Sequence, residues 1–483
     1  MISDKILTLI GAEYEKRILV YDFQLLFQKI DYISRLKSFG FQVYYYKNSE
    51  LLRLLYDDKI RYSTDKWVII VGRKGYIPYD IMESMYEANI SYEKVYPYLN
   101  SDVIKDHIVD LNLIDFAYED IYSDISSIKE TESYIVDGVY SKKNLIKYCN
   151  EIIEQIRREN IANFDIEKWF SIADRKALVE YYAAMADDTV DTSFIEEAFK
   201  DYLFREYKYL SGTNRIDYPV ILSKVLEFIT KGLPKVALIV MDGMSLFDFN
   251  VMSRYWKDIE YESYHSFALI PTTTSVSRQC LLSGKMPIEL INPFSLSHEE
   301  KEFSESAKKI GYQENQIQYA RGYDADINIR TKCLSLIIND IDDLVHSQLQ
   351  GRVGMLKSIK YLAEQGKVQN LIKRLHFEGF QVYITADHGN TLCTGIGRVA
   401  GTGIEVETKS KRMMVLKSFA ETENIKQNKN MIEYPGTYLS KDYQYLVCNT
   451  GESLDDRGAI VMTHGGVSID EVIVPFIKIK EIH

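Results

Sequence analysis

Apolar residues recur in two rhythms along the chain, and the change from one to the other predicts three regions. Residues 1–100 interleave strand-like runs, RILVYD at 17–22, FQVYYY at 41–46 and KWVIIVG at 66–72, with helical-period segments at 23–38 and 49–57. That alternation predicts a small α/β domain. From 101 to 230 the strand signals fade, and SKKNLIKYCNEIIEQIRRENI and DTSFIEEAFKDYLFREYKYLSG place apolar residues at helical spacing. A helical domain or connector is expected there. Lys231-Gly232-Leu233-Pro234 breaks the pattern, and residues 231–483 return to α/β character. Their buried-strand runs are VALIVM (236–241), FQVYITA (380–386), AIVMT (459–463) and EVIVPFIKI (471–479). The intervening stretches 286–330 and 395–457 are expected to shape a substrate pocket.

Composition narrows the class of protein. With 46% hydrophobic and 27% charged residues over 483, the chain has the balance of a soluble protein of two or three domains. A net charge of -12 argues against a basic surface for gripping duplex nucleic acid, because phosphate contacts need clustered Lys and Arg. A small or transiently held anionic substrate is compatible with it. Cys149, Cys280, Cys333, Cys393 and Cys448 are scattered without CxxC spacing, which excludes a thiolate zinc cage and fits reduced thiols in a cytoplasmic protein. No run reaches transmembrane length, so no membrane association is expected.

The polar residues that carry chemistry stand at the ends of the apolar runs of the last region, where ligands gather in open α/β sheets. VALIVMDGMS puts Asp242 and Gly243 just past a strand, a placement that taken alone reads as a turn or helix cap. ALIPTTTSVSRQCLLSG sets Pro271 and a Thr triplet before a helical stretch, so one hydroxyl is expected at a helix N-terminus, which favours an anion. IINDIDDLVHSQLQ places Asp342 and His346 on one helical face, with Asp340 and Asp343 as acidic alternatives. FQVYITADHGN ends a fully apolar strand in Asp387-His388-Gly389. Burying two adjacent titratable groups is costly unless a cation neutralises them, and both are good zinc ligands. AIVMTHGGVS adds His464 at another strand end. Three Asp and three His suffice for two three-ligand metal sites, with a hydroxyl to spare. Asp22, closing the first strand, reads as an ordinary helix cap because no Gly-rich loop follows it.

The order Asp-Gly, Pro-Thr-Thr-Thr, Asp-x-x-x-His, Asp-His-Gly, His-Gly-Gly resembles the alkaline-phosphatase superfamily, and within it the PglZ domain of BREX-type phage-defence proteins. The likeness spans roughly 235 to 483 and includes THGGVSIDEVIVPF, ITADHGN and the basic KRMMVL at 411–416. It implies an alkaline-phosphatase-like domain at 231–483 with a central, mostly parallel sheet. It implies one divalent metal on Asp342, His346 and His464 and another on Asp242, Asp387 and His388, zinc first, with Mn²⁺ or Mg²⁺ as alternatives. Thr274 would be the nucleophile, three residues after Pro271 as in related phosphodiesterases, with Thr273 as the fallback. Arg278 and Arg412 are candidates for holding a phosphate oxygen. No Cys-x-Pro-x-Arg motif is present, which argues against sulfate-ester hydrolysis. The expectation is a phosphodiesterase acting on a nucleotide or oligonucleotide, in a defence system with protein partners. A phosphomonoesterase or phosphomutase on the same scaffold, and a non-catalytic scaffold of a defence complex, are the alternatives.

Overall fold

The computed structural model describes residues 2–30, 32–106, 109–118, 125–398, 411–416, 422–423, 425–426 and 430–482. Part of the 395–457 stretch expected to shape the pocket lies outside these residues. The chain divides into two compact units, Met1–Tyr148 and Cys149–His483.

The first unit is built on a parallel sheet of β1 (Arg17–Tyr21), β2 (Phe41–Tyr45), β3 (Lys66–Val71) and β4 (Tyr86–Asn89), in the order β2-β3-β1-β4. The inner strands β1 and β3 are almost wholly buried, which is why their sequences are unbroken apolar runs. The helix expected over 23–38 is two shorter ones, Leu26–Lys29 and Tyr32–Ser38. Asp22 caps the first of them, accepting from the Leu26 and Phe27 amides at 2.8 and 2.9 Å.

The second unit is organised by a six-stranded sheet of β5 (Val236–Met241), β6 (Ile259–Phe267), β7 (Ile317–Arg321), β8 (Cys333–Ile338), β9 (Gln381–Thr385) and β16 (Ile473–Ile482). Its order is β6-β16-β9-β5-β8-β7. The four strands from β9 to β7 run parallel, and β16 and β6 close one side antiparallel. The sheet is therefore mostly parallel and the fold α/β, as expected. The run AIVMT lies elsewhere: its strand, β15 (Ile460–Thr463), pairs antiparallel with β10 (Thr391–Gly395) in a separate small sheet that also holds β14 (Glu452–Ser453). A third small sheet joins β11 (Met413–Leu416), β13 (Gln444–Val447) and β12 (Ile432–Tyr434).

Register determines where the chemistry sits. Val236 stands opposite both Cys333 and Gln381, and the pairings run in step to Met241 with Ile338 and Val240 with Thr385. The carboxyl ends of β5, β8 and β9 consequently reach one edge together. Asp242 follows β5, the helix Asp340–Ser347 follows β8, and Asp387-His388 follow β9.

Candidate active site

Two clusters of potential metal ligands form at that edge, Asp242, Asp387 and His388 in one, and Asp342, His346 and His464 in the other. Within each, one ligand atom per residue lies within 4.8 Å of the others. The first trio is buried throughout, whereas the second opens to solvent at His346. The imidazoles of His388 and His464 stack with centroids 4.2 Å apart, which sets the trios side by side. Asp340, the acidic neighbour, turns away and accepts from the Tyr323 hydroxyl at 3.1 Å.

Backbone carbonyls orient the two buried histidines. His388 Nδ1 is 3.0 Å from Gly389 O and His464 Nδ1 is 3.0 Å from Thr272 O, which leaves each Nε2 directed inward. Gly243 N donates to Asp387 Oδ1 at 3.1 Å, and Ser277 Oγ donates to Asp387 O at 2.5 Å. These carbonyls, amides and hydroxyls are the supporting shell that a metal ligand needs.

The protein atoms alone leave the site short of positive charge. Asp387 Oδ2, Asp342 Oδ1 and His464 Nε2 are buried without a hydrogen-bond partner among the described residues, although Asp342 Oδ1 lies 3.3 Å from His346 Nε2. Burial, and then the Asp242 carboxylate beside it, push Asp387 up to about 7. Burial and the neighbouring His388 push His464 down to about 3, so its imidazole is neutral with a free lone pair. Burial opposes the charge of Asp342, but contact with His346 and the nearby imidazoles outweigh it and hold the carboxyl well below the usual range. Burial also works against charge on His388, and there Asp387, Asp242 and Asp342 prevail to raise it. Unpaired carboxylate oxygens and an inward imidazole lone pair form a donor set that fits divalent cations.

The three threonines after Pro271 are separated by their surroundings. Thr272 Oγ1 donates to Gly466 O at 2.9 Å and accepts from Gly465 N at 3.1 Å, so it is tied to the loop that carries His464. Thr273 meets Ser275 Oγ at 3.4 Å. Thr274, half-buried at the start of the turn Thr274–Arg278, points its hydroxyl at the buried trio, 3.2 Å from His388 Nε2 and 3.4 Å from Asp242 Oδ1.

The arginines are differently placed. Arg278 is buried, with Nη1 2.6 Å from Asp242 Oδ2 and Nε 2.8 Å from Glu299 Oε2. It braces the carboxylate oxygen that faces away from Thr274. The structure does not bring Arg412 to the trios: its guanidinium pairs with Glu471 and donates to Glu452 O at 3.0 Å and Asn449 O at 3.3 Å. Glu471 in turn accepts from Gly466 N at 2.8 Å, so Arg412 supports the loop after His464 from behind.

Sequence reasoning passed over Ser277, Glu299, Asp248 and Asn390. Only two of them carried a local signal: Asp248 completes a Ser245-x-x-Asp248 capping box just after Asp242, and Asn390 extends the Asp-His-Gly element by one residue.

The model of the family described as BREX system PglZ alkaline phosphatase-like domain matches residues 220–479. Among solved structures, human ectonucleotide pyrophosphatase/phosphodiesterase 5 aligns over 50% of this chain and 87% of its own at 16% identity and a TM-score of 0.33. The murine protein gives 50% and 87% coverage, 15% identity and 0.31. Phosphonoacetate hydrolase from Sinorhizobium meliloti 1021 gives 51% and 90%, 12% identity and 0.33. No curated protein matches the chain.

Proposed function

The chain belongs to the family of BREX system PglZ alkaline phosphatase-like domains, and from that premise we propose that it is a two-metal phosphodiesterase that cleaves nucleotide or oligonucleotide phosphodiesters with Thr274 as nucleophile. The superfamily is one of phosphoesterases, and hydrolysis of a phosphate ester is the chemistry the domain is built for. The observation that carries the finer reading is the Thr274 hydroxyl, 3.2 Å from His388 Nε2 at the edge of the buried trio, while Thr272 is engaged elsewhere.

Asp242, Asp387 and His388 would hold one divalent ion and Asp342, His346 and His464 the other, zinc before Mn²⁺ or Mg²⁺. Such a pair supplies neutralising charge at the attacking and leaving oxygens of an in-line displacement. Thr274 Oγ1 gives up its proton to solvent and bonds to phosphorus as the ester P–O bond breaks, and the leaving oxygen takes a proton from solvent. Water then cleaves the threonyl phosphodiester, which still carries the second ester group, releasing a phosphate monoester and restoring the hydroxyl. Solvent reaches the site on the His346 side, the side from which substrate and water would approach.

A diester is favoured over a monoester by charge. Among the described residues the one guanidinium that touches a trio residue is Arg278, and Asp242 and Glu299 already neutralise it. Among the described residues no second guanidinium touches a trio residue to meet the second negative charge of a monoester. A setting in phage defence, with protein partners of that system, is proposed on family membership alone.

The test is turnover by the metal-loaded full chain on an aryl phosphate monoester, an aryl phosphodiester and short oligonucleotides, with Thr274→Ala and His464→Ala alongside. The proposal expects diester turnover that both substitutions abolish. Preference for the monoester would move the assignment to a phosphomonoesterase, and absence of turnover on all three by a metal-loaded protein would favour the scaffold.

A further inference from the structure

Asn390 lies two residues beyond His388, and its carboxamide is occupied at both ends. Nδ2 donates to Gly243 O at 2.8 Å and to Asp248 Oδ2 at 2.5 Å, while Oδ1 accepts from Arg352 Nη1 at 3.1 Å. Two acceptors on one side and a guanidinium on the other fix the orientation of the amide. Gly243 N donates to Asp387 Oδ1, so the segment after β5 and the segment after β9 are joined twice, once through a ligand carboxylate and once through Asn390. Those two segments supply all of Asp242, Asp387 and His388, and none of the other trio.

Arg352, on the helix Gly351–Glu364, is itself held. Its Nη2 donates to Asn390 O at 3.3 Å and lies 3.2 Å from Asp470 Oδ2 and 2.9 Å from Glu180 Oε2. Lys176 joins the same acids, 2.6 Å from Asp470 and 2.5 Å from Glu180, and reaches Glu196 at 3.1 Å. These residues come from the helices Ile166–Met185, Ser193–Glu206 and Gly351–Glu364 and from the turn before β16. Lys176, Glu180, Glu196 and Arg352 line a cavity of about 630 Å³ that is lined by no residue of either trio.

We propose that Arg352 and Asn390 are positioning residues dedicated to one of the two metal sites. Acting through the two strand-end segments, they set the geometry and affinity of Asp242, Asp387 and His388 more strongly than those of Asp342, His346 and His464. The inference rests on the two-metal reading. Its physical basis is that hydrogen bonds behind the ligands orient them, and that losing such a bond costs ~10–100-fold in metal affinity.

Asn390→Asp is the sharp probe, because it keeps the volume and replaces a donor by a carboxylate facing Gly243 O and Asp248. Asn390→Ser is the milder companion should the first variant fold poorly, and Arg352→Lys keeps the charge but loses the two-pronged grip. Metal-free full-length protein is titrated calorimetrically with Zn²⁺, in the wild-type and in a His346→Ala background that cripples the solvent-facing trio. The thermal midpoint of each metal-free variant is recorded in parallel. The expected result is two binding events in the wild type, one of which weakens by ~10-fold or more in Asn390→Asp and Asn390→Ser and by less in Arg352→Lys. In the His346→Ala background the single remaining event should weaken by the same factor. Equal weakening of both events, or of neither, in variants that fold would overturn the inference while leaving the two-metal reading intact. A wild type that binds fewer than two ions would overturn both.

Discussion

Thr272, Thr273 and Thr274 are chemically identical, yet each meets a different neighbourhood. Thr272 anchors the His464 loop through its hydroxyl and orients His464 through its carbonyl, Thr273 contacts Ser275, and Thr274 faces His388 and Asp242. If Thr274 is the nucleophile, Thr274→Ala loses at least ~1,000-fold in turnover and keeps both ions, because the hydroxyl is the reacting group and not a ligand. Thr273→Ala stays within ~3-fold, since its weak contact is replaceable. Thr272→Ala lowers metal affinity by about 10-fold with a smaller effect on the chemical step once metal is saturating. Turnover measured beside metal content separates the three. The order of roles within the triplet was not legible from residue type or spacing. It rested on a family offset, and the spatial difference arises only where the loop carrying Gly465 and Gly466 folds back over Thr272.

At the scale of elements, the site was legible wherever an apolar strand ends in a polar pair, because burial makes such an ending costly without a partner. QVYIT before Asp387-His388 follows this rule, VALIVM before Asp242-Gly243 follows it with a single polar residue, and both are strands. β8 was missed: CLSLII is interrupted by Ser335, which is fully buried, and no turn residue announces it. Without that strand, Asp342 and His346 read only as a helical i,i+4 pair, and their approach to His464 had no visible cause. The strand β15 shows the converse, since its apolar pattern was plain but its membership of a separate small sheet depends on pairing with β10. Close approach of elements also explains Gly389, where a Cβ would stand 1.9 Å from Asp470 O and 3.1 Å from Ser245 Cα. Gly389→Ala should therefore destabilise the fold by about 2–3 kcal/mol and weaken metal binding. Gly212→Ala, with nothing within 4 Å of its Cβ, should change stability by no more than ~0.5 kcal/mol. Urea unfolding of the two variants checks the contrast.

Across the whole of the second unit, charges are arranged in opposed groups. Lys176 and Arg352 sit among Glu180, Glu196 and Asp470 in a buried cluster, while among the described residues Arg278 is the one guanidinium paired with the trio carboxylates, at Asp242 and Asp387. Periodicity could predict the helices between 149 and 212, but not that Lys176 on one of them pairs with Asp470, 294 positions away. Removing one partner of a buried ion cluster leaves the others uncompensated, so Lys176→Ala should cost about 3–5 kcal/mol in urea unfolding. Chelation should act on the opposite group. Stripping divalent ions re-exposes Asp387 to burial and to Asp242, and should lower the thermal midpoint reversibly, with about 2.7 kcal/mol lost per site that had been held at a hundredfold excess over its Kd. Among the described residues no helix is long and apolar enough to cross a membrane.

The central claim is that Thr274 forms a covalent bond to phosphorus at a two-metal centre. It is tested most directly by rapid acid quench of the metal-loaded protein during diester turnover, followed by mass spectrometry of the peptide that contains Thr274. An adduct on Thr274 of the phosphoryl group with its retained ester substituent, absent after chelation and absent in Thr274→Ala together with turnover, is the predicted result. Undiminished turnover in Thr274→Ala, with no adduct on the wild-type peptide, would contradict the account.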